Sequence, residues 1–257
     1  MSEHTKTRTH TWVINLDRSP DRLASISAQL GALGLAWTRQ RAVDARAFTP
    51  EQQALLDVPA YHRKHGKQPV PGELGCYLSH IEVMRAFLVS DKDFALILED
   101  DVQLGAELPA VIEALEQHSK RWDLVKLSAV HSGTPQCYLQ LTPKTQLAVM
   151  LSRCTGSSAY LLNRRGAERF LAGLLPMQLP YDHVFDQGWV FDLKVRLAVP
   201  PPCGHDQEVA TTIAMPAKRK FHWTRRLPAF AYRAGNELRR FFYGLRETAR
   251  ERRRGAA

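Results

Sequence analysis

The stretch Phe94-Ala95-Leu96-Ile97-Leu98 leads directly into Glu99-Asp100-Asp101, and it decides how this chain folds. A short unbroken apolar run with polar neighbours is typical of a strand buried on both faces of an α/β sheet. Open sheets of this class bind ligands at the carboxyl ends of their strands, which is where the three acids fall. Adjacent carboxylates repel one another, and a divalent cation relieves that repulsion. The segment therefore predicts a central strand that ends in a Mg²⁺ or Mn²⁺ site, with a solvated acidic turn as the alternative.

Strand and helix signals alternate on both sides of this stretch. The β-rich run 11–16 precedes Ser19-Pro20-Asp21, which is typical of a helix start, and Thr49 and Gln52 are spaced as a capping box. Residues 57–72 are rich in Pro, Gly and charge, and they predict a surface loop. Further elements are predicted as helices at 73–88, 107–118 and 165–174, and strands at 123–128, 136–141, 146–151, 158–162 and 193–199. This alternation predicts an α/β fold with a mostly parallel sheet.

Composition limits the class of protein. The chain has 257 residues, of which 44% are hydrophobic and 24% charged, and this excludes disordered, collagen-like and disulfide-stapled proteins. The net charge of +9 is concentrated: residues 218–254 carry 13 Lys and Arg against three acids, so the rest of the chain sums to −1. The four cysteines are scattered, which favours free thiols. Because no long apolar run and no secretory signal is found, we expect a cytoplasmic protein.

Two further groups of polar residues are candidates for ligand binding. Asn15 and Leu16, with Arg18 and Arg22, surround the start of the first helix, where free amide groups and the helix dipole favour a phosphate. A capped helix with surface arginines is the alternative. Ser79 and His80 belong to a mostly apolar helix, where a buried, hydrogen-bonded His is the ordinary explanation.

Short motifs follow one another in order along residues 11–215. The strongest are Val13-Ile14-Asn15-Leu16-Asp17-Arg18-Ser19 with Asp21-Arg22, Gly72-Glu73-Leu74-Gly75-Cys76 with Leu78-Ser79-His80, and Leu96-Ile97-Leu98-Glu99-Asp100-Asp101. Weaker ones are 123–127, 158–162 with 166–167, and 180–182. Together they resemble glycosyltransferase family 25, the lipopolysaccharide and lipooligosaccharide sugar transferases whose relatives include collagen galactosyltransferases.

The resemblance implies a fold and a reaction. It implies a single Rossmann-like domain of GT-A type over residues 1–217, followed by a basic tail at 218–257. The expected activity is transfer of galactose or glucose, with inversion, from a UDP-sugar to a saccharide hydroxyl of the lipopolysaccharide or lipooligosaccharide core. The acidic triplet resembles the D-x-D motif of that fold. By this resemblance Asp101 binds Mn²⁺ or Mg²⁺, while Glu99 and Asp100 contact the ribose or the donor sugar, and Glu99 is a possible second metal contact.

Other roles follow from the chemistry of sugar transfer. The acceptor hydroxyl must lose a proton, so a carboxylate base is needed. Asp182, in a motif shared with the family, is the first candidate for this base and Asp186 is its rival, although Asp182 also suits a helix cap. Lys126, at a strand end, is a candidate donor contact or simply solvated. His205 and Asp206, which come late in the chain, are candidates for contact with the metal or the diphosphate.

The basic tail has an amphipathic pattern. If residues 227–249 are helical, their apolar side chains fall on one face and most of the arginines outside it, as in helices that lie on membranes. The pattern predicts attachment to the anionic cytoplasmic face of the inner membrane, where a lipid-linked acceptor would lie. A helix packed on the domain, a solvated basic end and a nucleic-acid contact are the alternatives. For the whole chain, a non-catalytic binding protein with the same fold and a nucleic-acid-binding protein remain alternatives, although no nucleic-acid recognition motif accompanies the basic residues.

Overall fold

A sheet of eight strands forms the centre of the molecule. The structure is a computed structural model that describes residues 8–131, 133–205 and 220–255, except for the side chain of His205. The strands are β1 Thr9–Asn15, β2 Trp37–Arg41, β3 Phe94–Glu99, β4 Val102–Leu104, β5 Leu124–Lys126, β6 Pro135–Gln140, β7 Gln146–Met150, β8 Ala159–Asn163, β9 Val195–Val199 and β10 Cys203–His205. The sheet order is β2-β1-β3-β8-β5-β9-β7-β6, while β4 and β10 pair separately.

The sheet is mixed. Parallel pairs join β1 to β2, β1 to β3, and β5 to β9, whereas β8 runs antiparallel between β3 and β5. At the other edge β7 is antiparallel to both β6 and β9. Most strands of this sheet therefore point in the same direction, as predicted. Most neighbouring strands are nevertheless paired antiparallel, which differs from the prediction. The short connection between β6 and β7 explains part of the difference, because a hairpin connection can join only antiparallel strands.

Helices cover both faces of this sheet. They are α1 Pro20–Ala32, α2 Pro50–Ala54, α3 Val58–His65, α4 Pro71–Val89, α5 Leu108–Gln117, α6 Arg164–Leu171, α7 Tyr181–Val184, α8 Gly188–Phe191 and α9 Leu227–Gly255. Side chains alternate along β3, so Ile97 packs with the α4 and α6 side of the core and Leu96 with the α1 and α5 side. The predicted central strand is thus confirmed as a strand buried on both faces.

The expected surface loop at 57–72 is wrong, because it contains α3. The Asp57 carboxylate accepts a hydrogen bond from the Ala60 amide at 2.9 Å and caps this helix, and Gly66, with φ of 72°, ends it. Tyr61 and His65 are buried on its inner side. Pro59 lies in the first turn of this helix and Arg63 on its exposed side, where they do not prevent packing.

The C-terminal helix α9 packs on the body through polar contacts. The guanidinium of Arg196 on β9 is completely buried, with Nη2 2.9 Å from Glu247 Oε2 and 3.2 Å from Glu251 Oε1. Tyr243 donates a hydrogen bond to the Leu193 carbonyl at 2.6 Å. No helix in the described part of the chain is long and apolar enough to cross a membrane.

Replacing Arg196 by Met is expected to destabilise the protein by about 3–5 kcal/mol, because two buried carboxylates lose their shared partner. Urea unfolding followed by circular dichroism measures this loss. The matched control is Arg169→Met, at an arginine side chain that is 55% exposed and 3.7 Å from Asp192. It should change the free energy of unfolding by about 0.5 kcal/mol or less. Equal effects of the two substitutions would contradict the structural role of Arg196.

Candidate active site

The acidic triplet lies where β3 leaves the sheet. Ile14 of β1 lies opposite Glu99 in the parallel register, so Asn15, which ends β1, lies next to Asp100. Asn15 Nδ2 donates a hydrogen bond to Asp100 Oδ2 at 2.7 Å, and Arg22 Nη1 of α1 lies 3.2 Å from Asp100 Oδ1. Asn15 Oδ1 in turn accepts from Arg39 Nε at 3.0 Å. Asp100 is therefore held in place from two elements.

Asp101 is less well compensated. Burial, followed by the charges of Glu99 and Asp100, raises the pKa of Asp101 to about 6, although Arg22 opposes the shift. The Arg22 Nη1 to Asp101 Oδ2 distance is 3.6 Å, longer than its contact with Asp100. A divalent cation at this position would remove the repulsion that favours protonation of Asp101. Carboxylate oxygens are the ligands that Mg²⁺ and Mn²⁺ prefer, so the residues fit such a metal.

Glu99 faces the helix α4. Its Oε1 accepts a hydrogen bond from Ser157 Oγ at 3.1 Å and lies 3.4 Å from His80 Nε2. Ligand atoms of Cys76, His80 and Glu99 lie within 4.8 Å of one another. One oxygen of Glu99 is therefore directed towards α4, which leaves Asp101 as the first candidate metal ligand.

His80 belongs to a buried aromatic network. Its Nδ1 lies 2.9 Å from the Tyr160 hydroxyl, which is 3.0 Å from the Tyr181 hydroxyl, and its ring stacks on Tyr181 at 4.0 Å. Burial raises the pKa of both tyrosines, so they act as neutral hydrogen-bonding groups. The ordinary explanation of a buried His therefore applies to Nδ1, while Nε2 faces Glu99 at the floor of the site.

Ser79 positions one wall of the site. Its Oγ donates to the Gly75 carbonyl at 2.7 Å and accepts from the Val43 amide at 2.8 Å. A Cβ on Gly75 would lie 2.7 Å from the Val43 carbonyl oxygen, so this close approach requires glycine. The loop after β2 is thereby fixed against α4.

Two clefts meet at the acids. The first is lined by Leu16, Arg18, Arg22, Ser79, His80, Glu99, Asp100 and Asp101, together with Cys76 and residues from 42–45. The second shares Cys76, Glu99 and Asp101 and is lined on its far side by Asp182, His183 and residues 156–158. Arg18 forms an ion pair with Asp44 at the outer edge of the first cleft. The structure thus brings together the predicted donor-side residues, apart from Lys126, and places Asp182 across from them.

Lys126 and Asp186 lie elsewhere. Lys126 is buried, donates to the Cys154 carbonyl and lies 4.7 Å from the Phe185 ring. Asp186 is 3.0 Å from Arg240 Nη2 and accepts from the Cys154 amide at 3.1 Å. The residues that line the two clefts, among those described, include neither. These contacts give both side chains structural partners away from the clefts. The donor contact at Lys126 and the base at Asp186 stay predictions, and Asp182 is the candidate base that lines a cleft.

His205 is described only through its backbone, which pairs with Val102, the residue after Asp101. Its side chain and Asp206 lie outside the described residues, so their contact with metal or diphosphate stays a prediction. Sequence reasoning missed Cys76 and Tyr181 as parts of the site. Cys76 had a signal, because it lies one helical turn before His80, whereas the stacking of Tyr181 on His80 depends on tertiary packing.

Comparison with known proteins places the chain in a family. A model of glycosyltransferase family 25, the lipopolysaccharide biosynthesis protein family, matches residues 8–185. The chain therefore belongs to glycosyltransferase family 25.

The relatives include proteins named as galactosyltransferases and proteins named as inactive. Procollagen galactosyltransferase 2 of Homo sapiens is 28% identical over 66% of this chain and 29% of its own length. The probable inactive glycosyltransferase 25 family member 3 of Bos taurus is 27% identical over 68% of the chain and 31% of its own length. A glycosyltransferase 25 family member of Aedes aegypti is 28% identical over 45% of the chain and 20% of its own length. The chain thus covers less than a third of each of these relatives.

Tyr160→Phe is expected to lower the free energy of unfolding by about 1–3 kcal/mol, because His80 Nδ1 and the Tyr181 hydroxyl both lose a buried partner. Thermal and urea unfolding measure the change. Tyr232→Phe is the matched control, since the hydrogen bond found for its hydroxyl among the described residues is a 3.4 Å contact accepted from Gln187. A Tyr160→Phe protein as stable as this control would contradict the network.

Proposed function

We propose that this protein is a metal-dependent hexosyltransferase that moves galactose or glucose from a UDP-sugar to a saccharide hydroxyl, with inversion. The observation that carries the proposal is the crowding of Glu99, Asp100 and Asp101 where two clefts meet. Burial, followed by the charges of Glu99 and Asp100, raises the pKa of Asp101 there to about 6. Three acids in this position cost stability unless a ligand offsets their charge. Family membership supports a transferase rather than an unrelated binding protein.

The residues of the first cleft suit a nucleotide sugar. Asp101 would hold Mn²⁺ or Mg²⁺, and Glu99 or His205 are further candidate ligands. When bound, the cation supplies positive charge that stabilises the diphosphate as it leaves. The start of α1 adds free amide groups, and Arg18 and Arg22 add charge on the same side. Asp100, fixed by Asn15, is positioned to accept hydrogen bonds from the ribose or the sugar.

The residues of the second cleft suit the acceptor. Asp182 is 33% exposed in a cleft that also contains Glu99 and Asp101. In the proposed reaction its carboxylate takes the proton of the acceptor hydroxyl, whose oxygen forms a bond to the anomeric carbon. The bond from that carbon to the UDP oxygen breaks, and its electron pair leaves with UDP. Asp182 is therefore the proposed catalytic base.

The family and its relatives support the proposed substrates. The matching family is named for lipopolysaccharide biosynthesis, and some relatives are named galactosyltransferases. We infer a UDP-hexose donor and an acceptor in the core of lipopolysaccharide or lipooligosaccharide, and we propose that the reaction takes place at the cytoplasmic face of a bacterial inner membrane.

Asp101→Asn is expected to lower Mn²⁺-dependent turnover at least 100-fold, because the amide removes the charge that would hold the cation. A screen of UDP-galactose and UDP-glucose with Mn²⁺ and a saccharide acceptor, read as released UDP, measures this. Asp93→Asn, at a surface carboxylate 52% exposed, is the control and should retain wild-type turnover. Equal turnover by the Asp101→Asn protein and the wild type would exclude the metal assignment.

Asp182→Asn is expected to lower kcat at least 100-fold while the KM for the donor changes less than threefold, because Asp182 lies on the acceptor side. The control is Asp192→Asn, at a carboxylate 75% exposed and paired with Arg165. An unchanged kcat would remove Asp182 as the base. If the wild type binds UDP-sugar but transfers nothing to any saccharide tested, the chain is instead a non-catalytic member, as some of its relatives are named.

A further inference from the structure

The helix α9 is packed in an unusual orientation, with polar side chains inward. Its buried residues are Ala229, Asn236, Arg240, Tyr243, Gly244, Glu247, Thr248 and Glu251. Arg240 lies 3.0 Å from Asp186, and Glu247 lies 2.9 Å from Arg196, so charge pairing fixes this side of the helix to the body. These contacts involve no residue of the apolar pattern.

The apolar face of α9 is therefore turned away from the body. It consists of Leu227, Ala231, Ala234, Leu238, Phe241, Phe242, Leu245 and Ala249, all of which are exposed. Leu238 is 61% and Phe242 65% exposed, and Trp223 just before the helix is 62% exposed. Continuous apolar surface of this kind marks an interaction site, because single exposed apolar residues are common but an aligned row of them is not.

Arginines flank one side of this face. Six exposed arginines lie on α9, namely Arg239, Arg246, Arg250, Arg252, Arg253 and Arg254, against one exposed acid, Glu237. Glu237 pairs with the buried Arg240. Among the described residues no ion pair is found for Arg239, Arg252 or Arg253. The surface next to the apolar face therefore has a large excess of positive charge.

We propose that α9 is a docking surface for an anionic phospholipid bilayer, with its apolar face in the interface and its arginines at the headgroups. An apolar row flanked by arginines is the pattern of helices that lie in the membrane interface. Basic residues near a membrane surface are attracted by the negative surface potential of anionic lipids. A second copy of this chain fits the face less well, because it would bring two sets of arginines together.

The position of α9 relates this surface to the clefts. Tyr232, Arg233 and Arg240 of α9 line a groove with His65 and His183, and these two histidines also line the cleft that contains Asp182. A bilayer on the opposite side of α9 would be separated by this one helix from the groove that adjoins the cleft. This consequence rests on the proposed function, whereas the docking surface itself does not.

Vesicle cosedimentation of the full chain tests the proposal. The probes are vesicles of phosphatidylcholine alone and of phosphatidylcholine with 30% phosphatidylglycerol. The face variant is Leu238→Ser with Phe242→Ser, and the matched control is Val89→Ser with Val190→Ser, at valines 90% and 57% exposed elsewhere. Because all four side chains are exposed, both double variants should fold, and their thermal unfolding checks this.

Wild type and control are expected to bind the anionic vesicles, and the face variant is expected to partition at least tenfold less. Arg239→Gln with Arg253→Gln should weaken binding to anionic vesicles in the same direction, and added salt should weaken wild-type binding. Equal binding of face variant and wild type, or equal binding to both vesicle types, would overturn the proposal. So would a wild-type dimer, detected by sedimentation velocity, that the face variant abolishes while neither protein binds vesicles. UDP release by the face variant with a soluble acceptor, unchanged from wild type, separates this result from the proposed function.

Discussion

The parallel register between β1 and β3 is the constraint on which the site depends. Because Ile14 lies opposite Glu99, the polar end of β1 meets the acidic end of β3, and Asn15 reaches Asp100 at 2.7 Å. A shift of one residue would turn every side chain of β3 to the opposite face of the sheet. The apolar residues on both faces of β3 oppose such a shift, since they pack in two separate parts of the core. The packing of the core thus fixes the position of the three acids.

The same register gives the three acids different surroundings. Asp100 has partners from β1 and α1, and Glu99 faces His80 and Ser157. Burial, followed by the charges of Glu99 and Asp100, raises the pKa of Asp101 to about 6. If the three carboxylates had equivalent surroundings, the repulsion among them would affect each one equally. Here Asn15 and Arg22 stabilise the charge of Asp100. Asp101, which like Glu99 lines both clefts, has only a longer contact with Arg22 among these partners. The arrangement therefore favours a cation near Asp101.

The sequence was sufficient for features that depend on local pattern. The buried run of β3, most of the helices and the grouping of Arg22, His80 and the acids could all be predicted, because apolar period and motif order carry them. The antiparallel insertion of β8 could not, since a short apolar strand has no mark of direction. The role of Lys126 was also hidden, because its burial follows from Phe185 and the Cys154 carbonyl, which approach only in the folded chain. Helix α3 was missed although its caps, Asp57 and Gly66, are visible in the sequence.

The buried Arg196 bears on two interpretations of the C-terminal tail, packing on the domain and attachment to a membrane. Packing on the domain and attachment to a membrane were alternatives because an amphipathic helix is expected to bury its apolar face. Arg196 has no carboxylate partner on its own strand, and Glu247 and Glu251 of α9 pair with it. These ion pairs require that the polar side of α9 faces the sheet. Packing through one side then leaves the apolar side exposed on the other. A single buried charge in the sheet therefore makes the two readings compatible.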